Sequence, residues 1–380
     1  MRKKALWRIW ALLLMAAPFA SCNKDIKDTT PLCGGPDSTV TTSKVVATGF
    51  NDPRGIKFGP DGLLYVAEAG IGGTHLSTCI PQVIPPVGPY TGSDTGSRIS
   101  RVGWDGVRTT LVDHLPSSTT APGGGSGIQG VADIAFIGND LYAVLAGAGC
   151  SHAVPDIPNG VIKINADRSW KIIANLSEFI MNNPVKNPNP ADFEPDGTWW
   201  NMINVDGNFY TIEPNHGELD KVSPTGAISR VLDISAVKGH IVPTALTAHN
   251  GLFYFGNLDV FPVVPGSSSV FTVTPGGKLQ TFATGFTCIL GLAFDDLGRL
   301  YVLETNTAAG GLTPGTGDVI RLDANGKRHV IASGLNFPTA MTFGPDGKLY
   351  ISDWGIGPPG LGQIVQVTFH CEIVQPDLAK

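Results

Sequence analysis

"FPTAMTFGPDGKLYISDWGIGPPGLGQIVQV", residues 337–367, holds the unit from which the rest of the chain is built. Two runs of alternating apolar and polar residues, Thr339–Phe343 and Lys348–Trp354, flank the turn Gly344-Pro345-Asp346-Gly347. A third run, Gln363–Val367, follows a Gly/Pro loop. Alternation at period two is a strand signal. Pro-Asp-Gly between two such runs makes a hairpin: proline presets φ, aspartate hydrogen-bonds the turn, and glycine takes the positive φ.

The hairpin recurs six times with one tyrosine in register: Tyr65 in "GPDGLLYVAE", Tyr142 in "IGNDLYAVLA", Tyr210 in "NVDGNFYTIE", Tyr254 in "AHNGLFYFGN", Tyr301 in "DDLGRLYVLE" and Tyr350 in "GPDGKLYISD". Of the seven tyrosines only Tyr90 falls outside this register. Successive copies stand 77, 68, 44, 47 and 49 residues apart, so the unit is about 45 residues long and the early copies carry insertions. A period near 45 in strand-rich sequence predicts an all-β chain of propeller blades.

Each hairpin is followed by a second one, as in "SRISRVGWDGVRTTLVDHL" (97–115) and "GDVIRLDANGKRHVIASGL" (317–335). The sixth repeat lacks its fourth strand, and "KVVATGF" (44–50) at the other end of the chain matches "QTFATGF" (280–286). The expected architecture is therefore a six-bladed β-propeller over 44–370, in which an N-terminal strand completes the last blade and leaves no open edge. A single unit of this size exceeds one ordinary core, but repeats bury their apolar surface blade by blade. With 48 glycines, 29 prolines and only 15% charged residues, the composition fits many short strands joined by tight turns.

Residues 1–21 read as an export signal: Arg2, Lys3, Lys4 and Arg8 precede the apolar stretch Ala11–Ala20, which is too short to span a bilayer. The ending Phe19-Ala20-Ser21-Cys22 resembles a bacterial lipoprotein processing site, which makes Cys22 the expected lipid anchor and 22–43 a polar tether. Residues 371–380 are read as a C-terminal tail. The leader holds four of the 26 basic residues, so its removal leaves 22 against 32 acids, a net charge of −10. Nucleic acid is not an expected partner of so acidic a chain. The expected location is extracytoplasmic, in the periplasm or at the outer membrane or cell surface, as a lipid-anchored monomer.

"PRGIKFGPDGLLYVAEAGIGG" (53–73), "ATGFTCILGLAFDDLGRLYVLE" (283–304) and "IASGLNFPTAMTFGPDGKLYISDWG" (331–355) resemble the ScyD/ScyE family of bacterial propeller proteins. More distantly they are similar to NHL-repeat and gluconolactonase-like propellers. The resemblance implies the fold across 44–370 and no established reaction.

Six cysteines in an exported chain invite disulfides. Ring closure brings Cys33 and Cys371 near one another, and Cys79 and Cys150 lie in corresponding loops of adjacent blades, so both pairs are expected to bridge. Cys288, in an apolar inner strand, reads as a small buried thiol.

The long insertions, 70–97, 115–128, 147–160, 179–198 and 257–267, all fall on one propeller face, and such an elaborated face is where binding is expected. Arg54, Gln129, Asp133, Asn201, Thr244, Thr287 and Thr339 stand at the inner-strand entrances. Trp199, Trp200 and Trp354 fall near the same face, where tryptophan can floor a site for a sugar or flat ring. The candidate ligand-binding set is thus Arg54, Gln129, Asp133, Trp199, Trp200, Asn201 and Trp354. The recurrent acids Glu68, Glu213, Glu304 and Asp353 read as structural acceptors of backbone N–H bonds between blades. His75, His152, His216 and His240 belong to the elaborated face, and most of them are expected to be solvated loop residues.

A gluconolactonase-type enzyme places oxygen ligands round an axial divalent cation. In this chain Arg54 stands where such enzymes tend to carry an acid, which leaves Asp133 and Asn201 as the alternative metal ligands. No cofactor or metal is therefore expected. The sequence carries no convergent catalytic set and favours a binding module for a small molecule, glycan or peptide. The alternative is a metal-dependent propeller hydrolase, lactonase or lyase.

Overall fold

The computed structural model describes residues 39–79, 82–85, 87–120 and 127–371. The leader, Cys22 and Cys33 lie outside these residues, as does the side chain of Cys371, and with them the anchor and the Cys33–Cys371 bridge.

The hairpin chemistry read from the sequence is present atom by atom. At Gly59-Pro60-Asp61-Gly62, the Gly62 N–H donates to the Gly59 carbonyl at 2.9 Å, and Gly62 takes φ +74°. Asp61 Oδ1 accepts the Leu63 N–H at 3.1 Å, while its Oδ2 accepts the Tyr65 hydroxyl at 3.0 Å. Asp346 does the same for Lys348 and Tyr350, and Asp295 for Leu297 and Tyr301. A Cβ at Gly59 would lie 2.4 Å from the Tyr65 ring. The turn needs its first glycine to seat the tyrosine as much as its last for the φ angle.

Six four-stranded antiparallel sheets result, one carrying two short extra strands. Their inner strands are Pro53–Phe58, Val131–Ile137, Asn201–Val205, Pro243–His249, Ile289–Phe294 and Ala340–Phe343. The sixth sheet contains Leu349–Asp353 and Gly362–Cys371, and its fourth strand is Thr39–Phe50 from the other end of the chain. Thr39 pairs with Cys371 and Phe50 with Gly362, so the closure is longer than the 44–50 match by five residues. The fold is the six-bladed β-propeller expected.

Apolar clusters lie between neighbouring sheets. Val144, Val161, Trp199, Met202 and Phe209 pack blade 2 against blade 3; Leu303, Val319, Ile351 and Val365 pack blade 5 against blade 6. The core is thus divided among blade interfaces. Burying one Val, Leu or Ile side chain there contributes about 1.5–3 kcal/mol.

The recurrent acids join the crossovers to the sheets. Glu68 accepts the Asn51 N–H at 2.7 Å, Glu213 the Thr198 N–H at 2.9 Å and Asp353 the Asn336 N–H at 2.6 Å; Glu304 accepts that of Thr287. Each donor lies where the chain passes from one blade to the next inner strand. In blade 4 the same place is taken by Asn257, whose Nδ2 donates to the Ile241 carbonyl at 3.0 Å. These carboxylates are structural, as the sequence suggested.

Candidate functional site

Because every inner strand starts from the elaborated face, the residues at those starts meet on the axis. The loops above them enclose a funnel of about 470 Å³. Arg54, Thr244, Leu290 and Thr339 form its floor and Trp200 part of its side. Arg54 is buried, with Nη1 donating to the Gly355 carbonyl and Nη2 to the Ile128 carbonyl, both at 2.7 Å. Its guanidinium carbon stands 4.9 Å from the Trp200 ring centroid, a cation–π distance. Burial pushes the Arg54 pKa down, against the nearby Asp52. Burial also raises Asp52 itself to about 7, with Arg54 opposing.

The wall from blades 2, 3 and 4 is polar. Asp192, on the insertion 179–198, places Oδ2 2.9 Å from His240 Nε2, and its Oδ1 accepts a hydrogen bond from Asn215 Nδ2 at 2.8 Å. Behind this pair the buried Glu194 accepts the Tyr90 hydroxyl at 3.0 Å and stands 3.1 Å from His152 Nε2. The Glu194 carbonyl lies 2.8 Å from His216 Nε2. Burial, then the Glu194 charge, holds the Tyr90 phenol well above its usual pKa. The Cys79–Cys150 disulfide forms as expected, with Cα atoms 5.6 Å apart, and ties the loop carrying Tyr90 to the turn carrying His152. The remaining wall is apolar, built from Val242, Leu258, Val260, Phe261, Leu312 and Ile356.

Of the seven candidate binding residues, Arg54, Gln129 and Trp200 line the funnel. Trp199 points the other way: it is fully buried between blades 2 and 3, with Nε1 3.4 Å from Asp220 Oδ2. Both lie just ahead of the strand Asn201–Val205, and their side chains leave the backbone on different sides, Trp200 into the funnel and Trp199 into the blade interface. Trp354 is half-buried edge-on to Phe337 at 6.0 Å and lies outside the funnel lining. Asp133 is buried under the axis, with Lys57 Nζ 3.3 Å from both carboxylate oxygens. Asp133 Oδ2 also accepts the Met202 N–H at 3.0 Å, and its Oδ1 that of Ile134 at 2.8 Å. A Cβ at Gly55 would come within 1.8 Å of Asp133 Oδ1, so glycine is what admits the carboxylate there. Asn201 and Lys57 line a second axial cavity of about 280 Å³ beneath the floor, and Asn201 Oδ1 has no hydrogen-bond partner among the described residues. The Asp133 oxygens are committed to a lysine and two amides, a set suited to a carboxylate and poor for a cation.

The histidines correct the expectation that most of the four are solvated. His75 is exposed, but His152 and His216 are buried and His240 is paired with Asp192. Tyr90, Asp192, Glu194 and Asn215 were not singled out as site residues by sequence. Tyr90 carried a signal, as the one tyrosine out of the blade register. The others lie where the repeat pattern is lost.

No family model and no curated protein matches the sequence. Among solved structures the chain is similar to a Bacteroides thetaiotaomicron protein of unknown function at 12% identity and TM-score 0.56, over 87% of this chain and 76% of that one. It is also similar to a Thermus thermophilus putative oxidoreductase described as a glucose dehydrogenase, at 16% identity and TM-score 0.53, over 87% and 100%. A gluconolactonase from Xanthomonas campestris matches at 10% identity and TM-score 0.52, over 87% and 90%. At such identities the likeness shows the fold: the chain is a six-bladed β-propeller with gluconolactonase-like and dehydrogenase-like structural neighbours.

Proposed function

We propose that the axial funnel binds a small amphipathic organic molecule, its polar or anionic head toward Arg54 and its apolar body against the Phe261 side. The observation that carries this reading is one concave site with a buried cation stacked on Trp200 at its floor and an apolar wall above. A volume of about 470 Å³ lies within the range of small-molecule sites, about 300–1,000 Å³, and favours a small molecule over a glycan or peptide. Arginine offers a planar donor fork to carboxylate, phosphate or hydroxyl groups, and its charge survives burial better than that of other cations.

The probe we would use is 8-anilinonaphthalene-1-sulfonate, an aromatic anion. Saturable one-to-one binding with quenching of Trp200 is expected. Phe261→Asp, at an exposed wall position, should weaken binding at least tenfold without changing the melting temperature. No saturable binding, or equal affinity in Phe261→Asp, overturns the reading.

The setting we propose is that of an exported, ScyD/ScyE-like propeller held to a membrane by lipid at Cys22. The leader supports it, and the disulfide is compatible with an oxidising compartment. Cys22→Ser should move the protein from the detergent phase to the aqueous phase of a Triton X-114 partition. An unchanged partition removes Cys22 as the anchor.

A further inference from the structure

We infer that Asp192 and His240 form a proton-transfer dyad that makes the funnel a hydrolytic site for small carboxylic esters or lactones. This inference rests on the binding reading above and extends it.

The geometry supplies the argument. Both side chains line the funnel and keep some exposure, 25% for Asp192 and 11% for His240, unlike the fully buried His152 beside Glu194. Asp192 is fixed from behind: its Oδ1 accepts from Asn215 Nδ2, and its carbonyl lies 3.3 Å from the same nitrogen. With one oxygen held, the other faces His240 Nε2 at 2.9 Å. A carboxylate accepts and cannot donate, so the Nε2–H is the donor in this pair and the neutral imidazole presents an unprotonated Nδ1. No described residue hydrogen-bonds that Nδ1. A histidine that lines a ligand-sized cavity, with its tautomer set by a carboxylate and no described partner on its other nitrogen, is arranged as a general base.

The chemistry balances without a further reactant. Water in the funnel gives one proton to His240 Nδ1 as its oxygen forms a bond to the acyl carbon, and the acyl C=O π pair moves to oxygen. On collapse the C=O re-forms and the acyl C–O bond breaks, its electron pair leaving with the alkoxide oxygen. The Nδ1 proton goes to that oxygen. Ester and water become acid and alcohol, and for a lactone both products are one hydroxy acid. Among the described residues that line the funnel there is no serine or cysteine nucleophile that would call for a covalent intermediate. The carboxylate released is the kind of head that the funnel's cation would hold.

The experiment is hydrolysis of p-nitrophenyl hexanoate by the purified chain, with the anilinonaphthalene sulfonate as competitor. Saturable turnover, competitive inhibition by the sulfonate, and a kcat reduced about 10²–10⁴-fold in His240→Gln with KM little changed are expected. Asp192→Asn, which keeps the shape but loses the acceptor charge, tests positioning: kcat should fall by a larger factor than KM rises, a split that a merely structural role would not give. A thermal melt of each variant shows whether it is folded. If His240→Gln does not fold, the Asp192→Asn kcat decides. Turnover equal in wild type and both variants overturns the inference, as does absence of turnover in a protein that binds the sulfonate. Failure to bind the sulfonate at all removes the binding reading instead.

Discussion

Lys57 and Asp133 close the axis below the funnel, and separating them tests whether that carboxylate is a structural charge or a latent metal ligand. In Lys57→Met the Asp133 carboxylate keeps its two N–H partners and loses the one cation within 4 Å of it among the described residues. Removing one member of a buried ion pair costs about 3–5 kcal/mol. The Lys57 side chain is 27% exposed, so solvent screening trims the figure to roughly 2–3 kcal/mol. Unfolding entropy of about 2.1 cal/mol/K per residue gives ~0.7 kcal/mol/K for a propeller of this length, so Tm should fall by roughly 3–4 °C. Burial already pushes Asp133 upward in pKa with Lys57 as the main opposing charge. Without Lys57 the carboxyl rises further, and a folded-state pKa above the unfolded one means stability lost as pH rises through that window. The variant should therefore lie closer to wild type at pH 5 than at pH 8. Asp133→Asn combined with Lys57→Met should recover most of the loss in calorimetric melts. A Lys57→Met protein with wild-type Tm at pH 8, or one that millimolar Ca²⁺ stabilises only when Asp133 is intact, would refute the assignment of Asp133 as a structural partner.

Deleting residues 39–50 strips the last sheet of its edge strand and should abolish the single cooperative melt; a truncated protein melting like the parent would contradict the closure. Cys79→Ser opens a bridge that closes 71 residues, worth about 4 kcal/mol by chain entropy. It should also loosen the loop bearing Tyr90, so the sulfonate should bind less tightly and the loop amides exchange faster. Asp52 has a folded pKa near 7, far above its ordinary 3.8, so its contribution to stability declines as pH rises between those values. Asp52→Asn should therefore raise the urea midpoint at pH 8 more than at pH 4, and an equal gain at both would show that the carboxyl ionises freely.

The blades were legible because their hairpins are local: a turn, an alternating run and one tyrosine lie within about ten residues, and each reports the same geometry. The missing fourth strand was legible for the same reason, since Lys44–Phe50 carries the outer-strand pattern with no adjacent partner. Arg54, Gln129 and Trp200 could be placed because they sit at or beside the starts of repeating strands. The wall could not. Asp192 reaches His240 across 48 residues, and Tyr90 reaches Glu194 across 104, through insertions with no repeat to set their register. Such contacts depend on how loops fold over a ring already closed. Trp199 was misplaced by proximity alone: its neighbour Trp200 faces the funnel, while the Trp199 side chain, just ahead of the inner strand, turns into the blade interface.

The direction of the closing strand sets how the molecule presents itself. Phe50 ends beside the funnel, and Thr39 begins at the opposite face, where Lys44, Val45 and Val46 border a groove with Phe58, Gly62 and Trp104. Any tether attached ahead of Thr39 therefore pulls on the side of the short turns. Sixteen residues lie between Cys22 and Thr39, at most about 60 Å of extended chain. A propeller moored at Cys22 would ride within that distance of the lipid, its funnel mouth turned outward like an open cup. Solutes would reach Arg54 from the aqueous side, and membrane lipids would meet only the base.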